Sequence, residues 1–491
     1  MGSSREVDVV VVGGGIAGLT CAVGLRDSGL SVVVLEKSSG LGGRARSWID
    51  DKTGDPVHIG PHIFLSEYPN MLRLLEVLGT RDKVVWQRGQ FITIYDGSRP
   101  IVMKMAKLPA PFHLVPSVIR DSTVPHKDKL SGLPASLFAM QLSEEDILRL
   151  DRISAASLLR SLGVTERYLE RFWAFTSMSI LNVPVELCSA GALMRFYGKM
   201  IGHAGYDIGF PDGGLGDVFV PAAKALLERT GIEVRTSASV ETFDGDRERA
   251  TGVTLTDGTR IAARHCVAAV PPQALRRLAR REWLEAHRTF QGLVAFQPCP
   301  YVSVFLWFDR KLTDQQFWAR VHDPNDLNCD FYDLSNIHTG WRDRPSLITC
   351  NTIYSHRADG MTDAEIVART VKEIAEALPE AARAKVVHSV VNHIPMAIHC
   401  PYPGTEQKRP EVRSEVRGLL LAGDWIRTAL PSSMESAAMA GWRAAEHILE
   451  GEGRPRSLAV PHKETTGLPG ALRRVARVLP LHRVPMWMHG V

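Results

Sequence analysis

An α/β fold is predicted for this 491-residue chain by two stretches, one near each end. Near the start, the unbroken β-branched run Val9–Val12 leads into Gly13, Gly15 and Gly18 at G-x-G-x-x-G spacing. A helical pattern over Ile16–Ser28 follows, then a second apolar strand, Ser31–Leu35, with Glu36 at its end. Near the other end, Leu419–Ala422 is a buried strand that runs through Gly423-Asp424 toward a helix reaching about Leu449. Strand, glycine turn, helix and second strand in this order form the Rossmann-type arrangement that binds dinucleotides.

Each part of the first stretch has a physical reason. Four consecutive valines suit a parallel strand buried on both faces. Gly13 permits the tight turn, Gly15 lets the backbone approach a pyrophosphate, and Gly18 lets the helix pack on the strand. The helix opens at Ile16 and Ala17 and points its N–H groups and dipole at the phosphates. Glu36 stands where an acid accepts hydrogen bonds from a ribose, with Lys37 beside it.

Composition excludes several classes. A 45% apolar fraction over this length supports two domains with real cores. The formal net charge of +4 is too small to argue for nucleic acid. Seven scattered cysteines without a C-x-x-C argue against disulfides and a structural metal and suit a reducing cytoplasm. The apolar start contains Gly13–Gly15 and continues into the nucleotide-binding pattern, so it is not read as a signal peptide. No uninterrupted apolar run is long enough to span a membrane.

Along the chain, Gly40-Leu41-Gly42-Gly43-Arg44 is a second glycine turn close behind Glu36. Gly60-Pro61-His62-Ile63-Phe64 and Tyr68-Pro69-Asn70 precede a helix over Met71–Gly79 with Leu72, Leu75, Val77 and Leu78 apolar. Ile101–Met140 is apolar, broken by Pro109, Pro111 and Pro116, and dotted with Lys104, Lys107 and Arg120. It reads equally as a broken core helix pair or as a surface lying in a bilayer interface. Ser143–Val164 has helical spacing behind a Ser143 cap. Tyr168–Tyr197 is mostly helical and contains Arg195-Phe196. After Phe210–Gly214, a helix is expected over Val218–Thr230 and a strand over Gly231–Val240. Gly252–Ile261 is a hairpin turning at Asp257-Gly258, and His265–Val270 is a further buried strand. Tyr301–Leu312, Ser346–Tyr354 and Val387–His393 alternate as strands, with an amphipathic helix over Asp363–Leu378. Pro431–Ser436 starts the last long helix. In the tail, Ala471–Leu479 places Leu472, Val475, Ala476 and Leu479 on one side and Arg473, Arg474 and Arg477 on the other.

These motifs resemble the FAD-dependent amine oxidase superfamily. The likeness is closest to plant-type phytoene and ζ-carotene desaturases, with squalene-associated desaturases as a neighbour. Its most specific segments are Val7–Arg44, Gly60–Asn70, Trp307–Leu312 and Gly423–Ser436. The resemblance implies a discontinuous two-dinucleotide-binding FAD domain at 1–85, 205–285 and 405–450. A substrate domain of α+β type is inserted at 86–204 and 286–404, and a basic tail follows at 451–491. It implies FAD held by Gly13, Gly15, Ile16, Ala17, Gly18, Glu36, Lys37, Gly43, Arg44, His62, Ile63, Tyr68, Val240, Asp424, Met434 and Glu435. Arg195 is expected near flavin and substrate as the catalytic charge. No motif supplies a general base.

The function implied is oxidoreduction of a long apolar isoprenoid, foremost carotenoid desaturation by hydride transfer to the flavin. Reductive removal of a hydroxyl from a squalene-pathway alcohol and amine oxidation are the neighbouring readings. A non-catalytic escort protein that binds lipid without flavin is the reading from another class; Glu36, Arg44 and Asp424 argue against it. The partners expected are the isoprenoid, a membrane surface bound peripherally on the cytoplasmic side, and a quinone or other electron acceptor, with no nucleic acid.

Overall fold

In the computed structural model, which describes residues 4–478, strand Ser4–Val12 is the centre of the first sheet. It pairs in parallel with Val32–Leu35 on one edge and Arg260–Ala268 on the other. Glu233–Arg235 extends the parallel array beyond Val32–Leu35, and Leu419–Leu421 joins the far end of Arg260–Ala268. Two antiparallel strands, Ala250–Leu255 and Val240–Gly245, complete the seven. Val9, Val10 and Val11 are wholly buried, as a valine run covered on both faces must be. The first strand, ending at Val12, and the last, beginning at Leu419, thus meet in one sheet.

Arg260–Ala268 is one strand where a hairpin arm and a separate strand are expected. Ser4–Val12 pairs with its full length. Its other edge is divided: residues 260–262 face the hairpin partner, and residues 266–268 face Leu419–Leu421. Val240 likewise opens a strand rather than ending one, because Glu233–Arg235 stops early.

A second seven-stranded sheet has the order 386–399, 298–308, 347–353, 330–333, 317–320, 92–96, 99–103. One of its faces packs on helix Asp363–Ala377, which Thr362 starts with a capping box to Glu365. The other face packs against Val57, Ile208 and Phe210 of two shorter strands. Trp307, within the segment that resembles the desaturases, is buried there and donates its ring N–H to Asp55 at 2.8 Å.

Helices between 115 and 202 form a third body around Trp173, Leu193 and Cys188. The single helix expected over Ser143–Val164 is two, Glu144–Leu150 and Ala155–Ser161. Asp151 breaks it: its buried carboxylate accepts the Ser189 hydroxyl at 2.6 Å and the Gln407 N–H at 3.0 Å. Ser154 then caps the second piece.

The tail helix, Gly467–Val478, lies on this third body. It buries Ala476 and turns Val475 to solvent, so the expected apolar side is split, while Leu479 lies outside the described residues. All seven cysteines are buried free thiols. Among the described residues, no helix is long and apolar enough to cross a membrane.

Candidate functional site

The two glycine turns are joined to each other. Gly42 donates its N–H to the Gly14 carbonyl at 2.8 Å, which sets the second turn alongside Gly15. Strand Val32–Leu35 ends so that Glu36 reaches back over the first turn. Its Oε2 accepts the Gly14 N–H and its Oε1 the Ser38 N–H, each at 2.8 Å. Gly18 and Gly15 do different work. A Cβ at Gly18 would lie 1.9 Å from the Gly13 carbonyl oxygen, so this glycine closes the helix onto the turn. A Cβ at Gly15 would have nothing nearer than 4.0 Å. Gly15 is also the N-cap of helix Ile16–Leu25 and supplies no side chain to its free N–H groups. The result is an open, anion-attracting cradle.

Opposite the cradle, Arg44 and Asp424 form a two-pronged ion pair at 2.6 and 3.1 Å. The guanidinium also donates to the Ala397 carbonyl at 3.0 Å. Burial alone would raise the Asp424 carboxyl, but Arg44 overcomes it and holds the group below its ordinary range, hence ionised. Helix Met434–Gly451 starts beside this pair, capped by the Ser433 hydroxyl, which accepts the Ser436 N–H at 3.2 Å. Its positive end is therefore directed at the same space.

That space is a cavity of about 1790 Å³. Gly13, Gly15, Ile16, Ala17, Glu36, Lys37, Gly43, Arg44, Val240, Asp424 and Met434 line it, as do His62, Ile63 and Tyr68. The His62 ring bonds the Gly60 carbonyl at 2.7 Å, and desolvation keeps it below the usual imidazole value, so it is neutral. The cavity then continues between the second sheet and the helical body along an apolar wall that includes Phe91, Ile92, Met103, Met140, Phe172, Phe175 and Met200. Single-ligand pockets hold roughly 300–1,000 Å³, so this one has room for a dinucleotide and a second long ligand.

Three expected site residues stand elsewhere. Gly18 packs helix on turn, as described. Glu435 lies behind the wall, fully buried, and accepts the N–H groups of Asn70 and Met71 at 2.8–3.1 Å and the Asn70 amide at 2.7 Å. It thereby holds the start of helix Pro69–Leu78, and burial pushes its carboxyl up to about 7. Arg195 departs furthest from expectation. Its guanidinium is buried against Glu406 and against Glu144 at 3.0 Å, and the large cavity is not lined by it. Two carboxylates neutralise it, so the free cation expected beside the flavin is absent from this position.

Other residues at the site have no local sequence signal. Arg409, 2% exposed, donates to the carbonyls of Asp424, Trp425, Ile426 and Leu430 at 2.6–3.3 Å, and so fixes the loop behind Asp424. Glu406, one turn before it, joins Arg409 to Arg195. Asp330 and Asn351 of the second sheet line the cavity. Only the i, i+3 spacing of Glu406 and Arg409 hints at any of this.

The donor set fits FAD: an open glycine cradle at a helix N-terminus, an acid at the end of the second strand, and a second helix N-terminus beside an ion pair. The family described as flavin containing amine oxidoreductase matches residues 16–449. The chain is similar to 15-cis-phytoene desaturase of Solanum lycopersicum, with 27% identity over 91% of this chain and 78% of that one. It is equally similar to 15-cis-phytoene desaturase of Synechococcus elongatus, with 27% identity over 90% of this chain and 95% of that one. Its fold is similar to that of cyclohexylamine oxidase from Brevibacterium oxydans, with a TM-score of 0.69 at 19% identity over 92% of this chain and 100% of that one.

Proposed function

Because the chain belongs to the flavin containing amine oxidoreductase family, and is thus an FAD-dependent oxidoreductase, we propose that it desaturates a long apolar isoprenoid of the phytoene type. The observation that carries this reading is the apolar continuation of the cavity beyond the cofactor cradle. Its walls offer an uncharged polyene burial at roughly 25 cal/mol per Å² before ordering costs. The names of the desaturase relatives agree in substrate class.

In this reading Gly15, Glu36, Arg44, Asp424 and the Met434 helix end hold the FAD. Bound there, the flavin supplies a two-electron acceptor for hydride. The chain's own residues bind the isoprenoid along Phe91, Phe172, Phe175 and their neighbours, keep water away, and set which carbon reaches the cofactor. Anaerobic mixing with phytoene is expected to bleach the oxidised flavin absorbance and lengthen the conjugation of the product. Bleaching by amines alone would overturn the reading in favour of amine oxidation. Conversion of a hydroxylated squalene only with reduced flavin would favour dehydroxylation. A protein that purifies without flavin would favour the escort class.

We also propose that the protein sits peripherally on a membrane, through which substrate and a lipid-soluble electron acceptor such as a quinone arrive. Leu108, Phe112, Val115, Ile119, Leu130, Leu133 and Leu137 are each 42–61% exposed, and all but Leu108 line the cavity as well. Lys104, Lys107, Arg120 and Lys127 are exposed around them. Apolar side chains ringed by cations suit an anionic bilayer interface. Each cation contributes about 1 kcal/mol there, and salt screens it. Flotation with anionic liposomes is expected at low salt and should weaken with added salt. Equal recovery in the soluble fraction with and without lipid would refute the proposal.

A further inference from the structure

Removing two hydrogens from neighbouring carbons releases a proton as well as a hydride, so the proton needs an acceptor. Among the described residues, five carboxylates line the cavity: Glu36, Glu67, Asp121, Asp330 and Asp424. Four are already engaged. Backbone N–H groups hold Glu36, Arg44 pairs with Asp424, Lys463 pairs with Glu67 at 2.8 Å, and Thr123 binds Asp121. Asp330 is different. It is 7% exposed, its Oδ2 accepts the Tyr332 hydroxyl at 2.9 Å, and its Oδ1 is buried without a partner.

The position suits the task. Phe331 pairs with Cys350 across the sheet, which puts Asp330 beside Asn351. The Asn351 amide reaches the Pro61 carbonyl at 3.4 Å, and the Gly60–His62 segment lines the cavity with it. Asp330 thus lies one strand away from a segment that the cofactor part of the cavity shares.

We propose that Asp330 is the proton acceptor of the desaturation. One carbon gives up a hydride to the flavin. The C–H bond of its neighbour breaks, its electron pair becomes the new π bond, and its proton passes to Oδ1 of Asp330. The Tyr332 hydroxyl, donating to Oδ2, steadies the carboxylate beforehand. The proton leaves to solvent when product departs.

The surroundings keep this group poised. Burial pushes its carboxyl up to about 6, and the Tyr332 hydrogen bond opposes that rise. Tyr301 and Cys350 on the adjoining strands, and Cys329 beside it, are held neutral by burial. His322 in the cavity wall is lowered to about 4 by burial and is also neutral. Arg320 is occupied by Asp326 at 3.0 Å and by Glu376. Arg357, behind Cys329, is taken up by the carbonyls of Asp326, Leu327 and Ile353. Among the described residues no cation pairs with Asp330, and at neutral pH it is deprotonated yet basic enough to take a proton.

The inference rests on the proposed function, and the experiment separates the two. FAD-loaded parent, Asp330→Asn and Tyr332→Phe are mixed anaerobically with phytoene in neutral vesicles across pH 5–8. Asp330→Asn is expected to slow flavin reduction at least about 100-fold with little change in KM. The parent rate should rise with pH around 6, and the Asp330→Asn rate should be flat. Tyr332→Phe should move the midpoint to higher pH, because the carboxylate loses a donor. Independently of turnover, the infrared carbonyl stretch of a protonated carboxylic acid should titrate near pH 6 in the parent and be missing in Asp330→Asn. Parent rate and pH profile in Asp330→Asn would overturn the assignment. A raised KM at unchanged rate would overturn it too, and would make Asp330 a holder of a polar substrate group. A parent inert toward every isoprenoid would defeat the proposed function, and this assignment with it.

Discussion

Gly15→Val is expected to give a protein that folds but purifies colourless, whereas Gly18→Val is expected not to fold. The two glycines stand three residues apart in one motif, yet the space around them differs. At Gly15 the backbone is extended, with φ −83° and ψ −175°, which valine adopts without strain. An added Cβ has no neighbour nearer than 4.0 Å and projects over the helix end where a pyrophosphate belongs. At Gly18 the first carbon already lies 1.9 Å from the Gly13 carbonyl oxygen, and helix and strand must separate to admit it. Loss of that packing at the centre of the main sheet is expected to cost more than about 4 kcal/mol. The measurements are flavin absorbance per protein and the thermal midpoint of the flavin-free forms. The flavin-free comparison matters, because a bound ligand raises apparent stability by mass action. Full flavin occupancy in Gly15→Val would mean that the cofactor does not cross the turn at this point.

Glu406→Gln is expected to destabilise the protein by about 3–5 kcal/mol at pH 7, a large share of a typical domain's stability. Glu406 is 3% exposed and lies between Arg195 and Arg409, which are themselves buried. Without its charge, Arg409 keeps no anionic partner in direct contact among the described residues, and Arg195 keeps only the more exposed Glu144. Burial opposes ionisation of Glu406, but the two guanidinium groups prevail and hold its carboxyl at about 2. A carboxyl depressed in the folded state stabilises it above the unfolded value of about 4.3, and this is lost as pH falls toward 2. The gap between parent and variant in urea midpoint should therefore be full at pH 7 and narrower at pH 3.5. A gap independent of pH would show that the charge is not the cause. Flavin occupancy should fall as well, since Arg409 fixes the carbonyls of Asp424 and Ile426. Arg195→Met is expected to lose stability while leaving the reduction rate per bound flavin unchanged. This departs from the role that the Arg-Phe resemblance implies.

The strand–turn–helix order of Val9–Glu36 is legible because every term of it is local. An unbroken valine run, glycines two and three residues apart and an acid at a strand end constrain neighbours in the chain, and neighbours are what a sequence displays. The same holds for Thr362 and Glu365 at the start of a helix, and for Asp257-Gly258 between two strands. The tail helix shows the limit of such patterns. Its two-sided periodicity is real, but which side faces the protein depends on the helices it meets, and Val475 is turned outward.

By itself, then, the sequence determined the α/β class, the nucleotide-binding turn and the position of Asp424 behind its own strand. Only the tertiary structure decided which charges are free. Arg195 lies 211 residues from Glu406, and Arg44 lies 380 from Asp424. Asp330 owes its unpartnered oxygen to the strands that happen to flank it. A side chain's charge is read from its type, but its availability depends on what the folded chain brings within about 4 Å. Desolvation and pairing act over distances in space, and these leave no spacing in the chain.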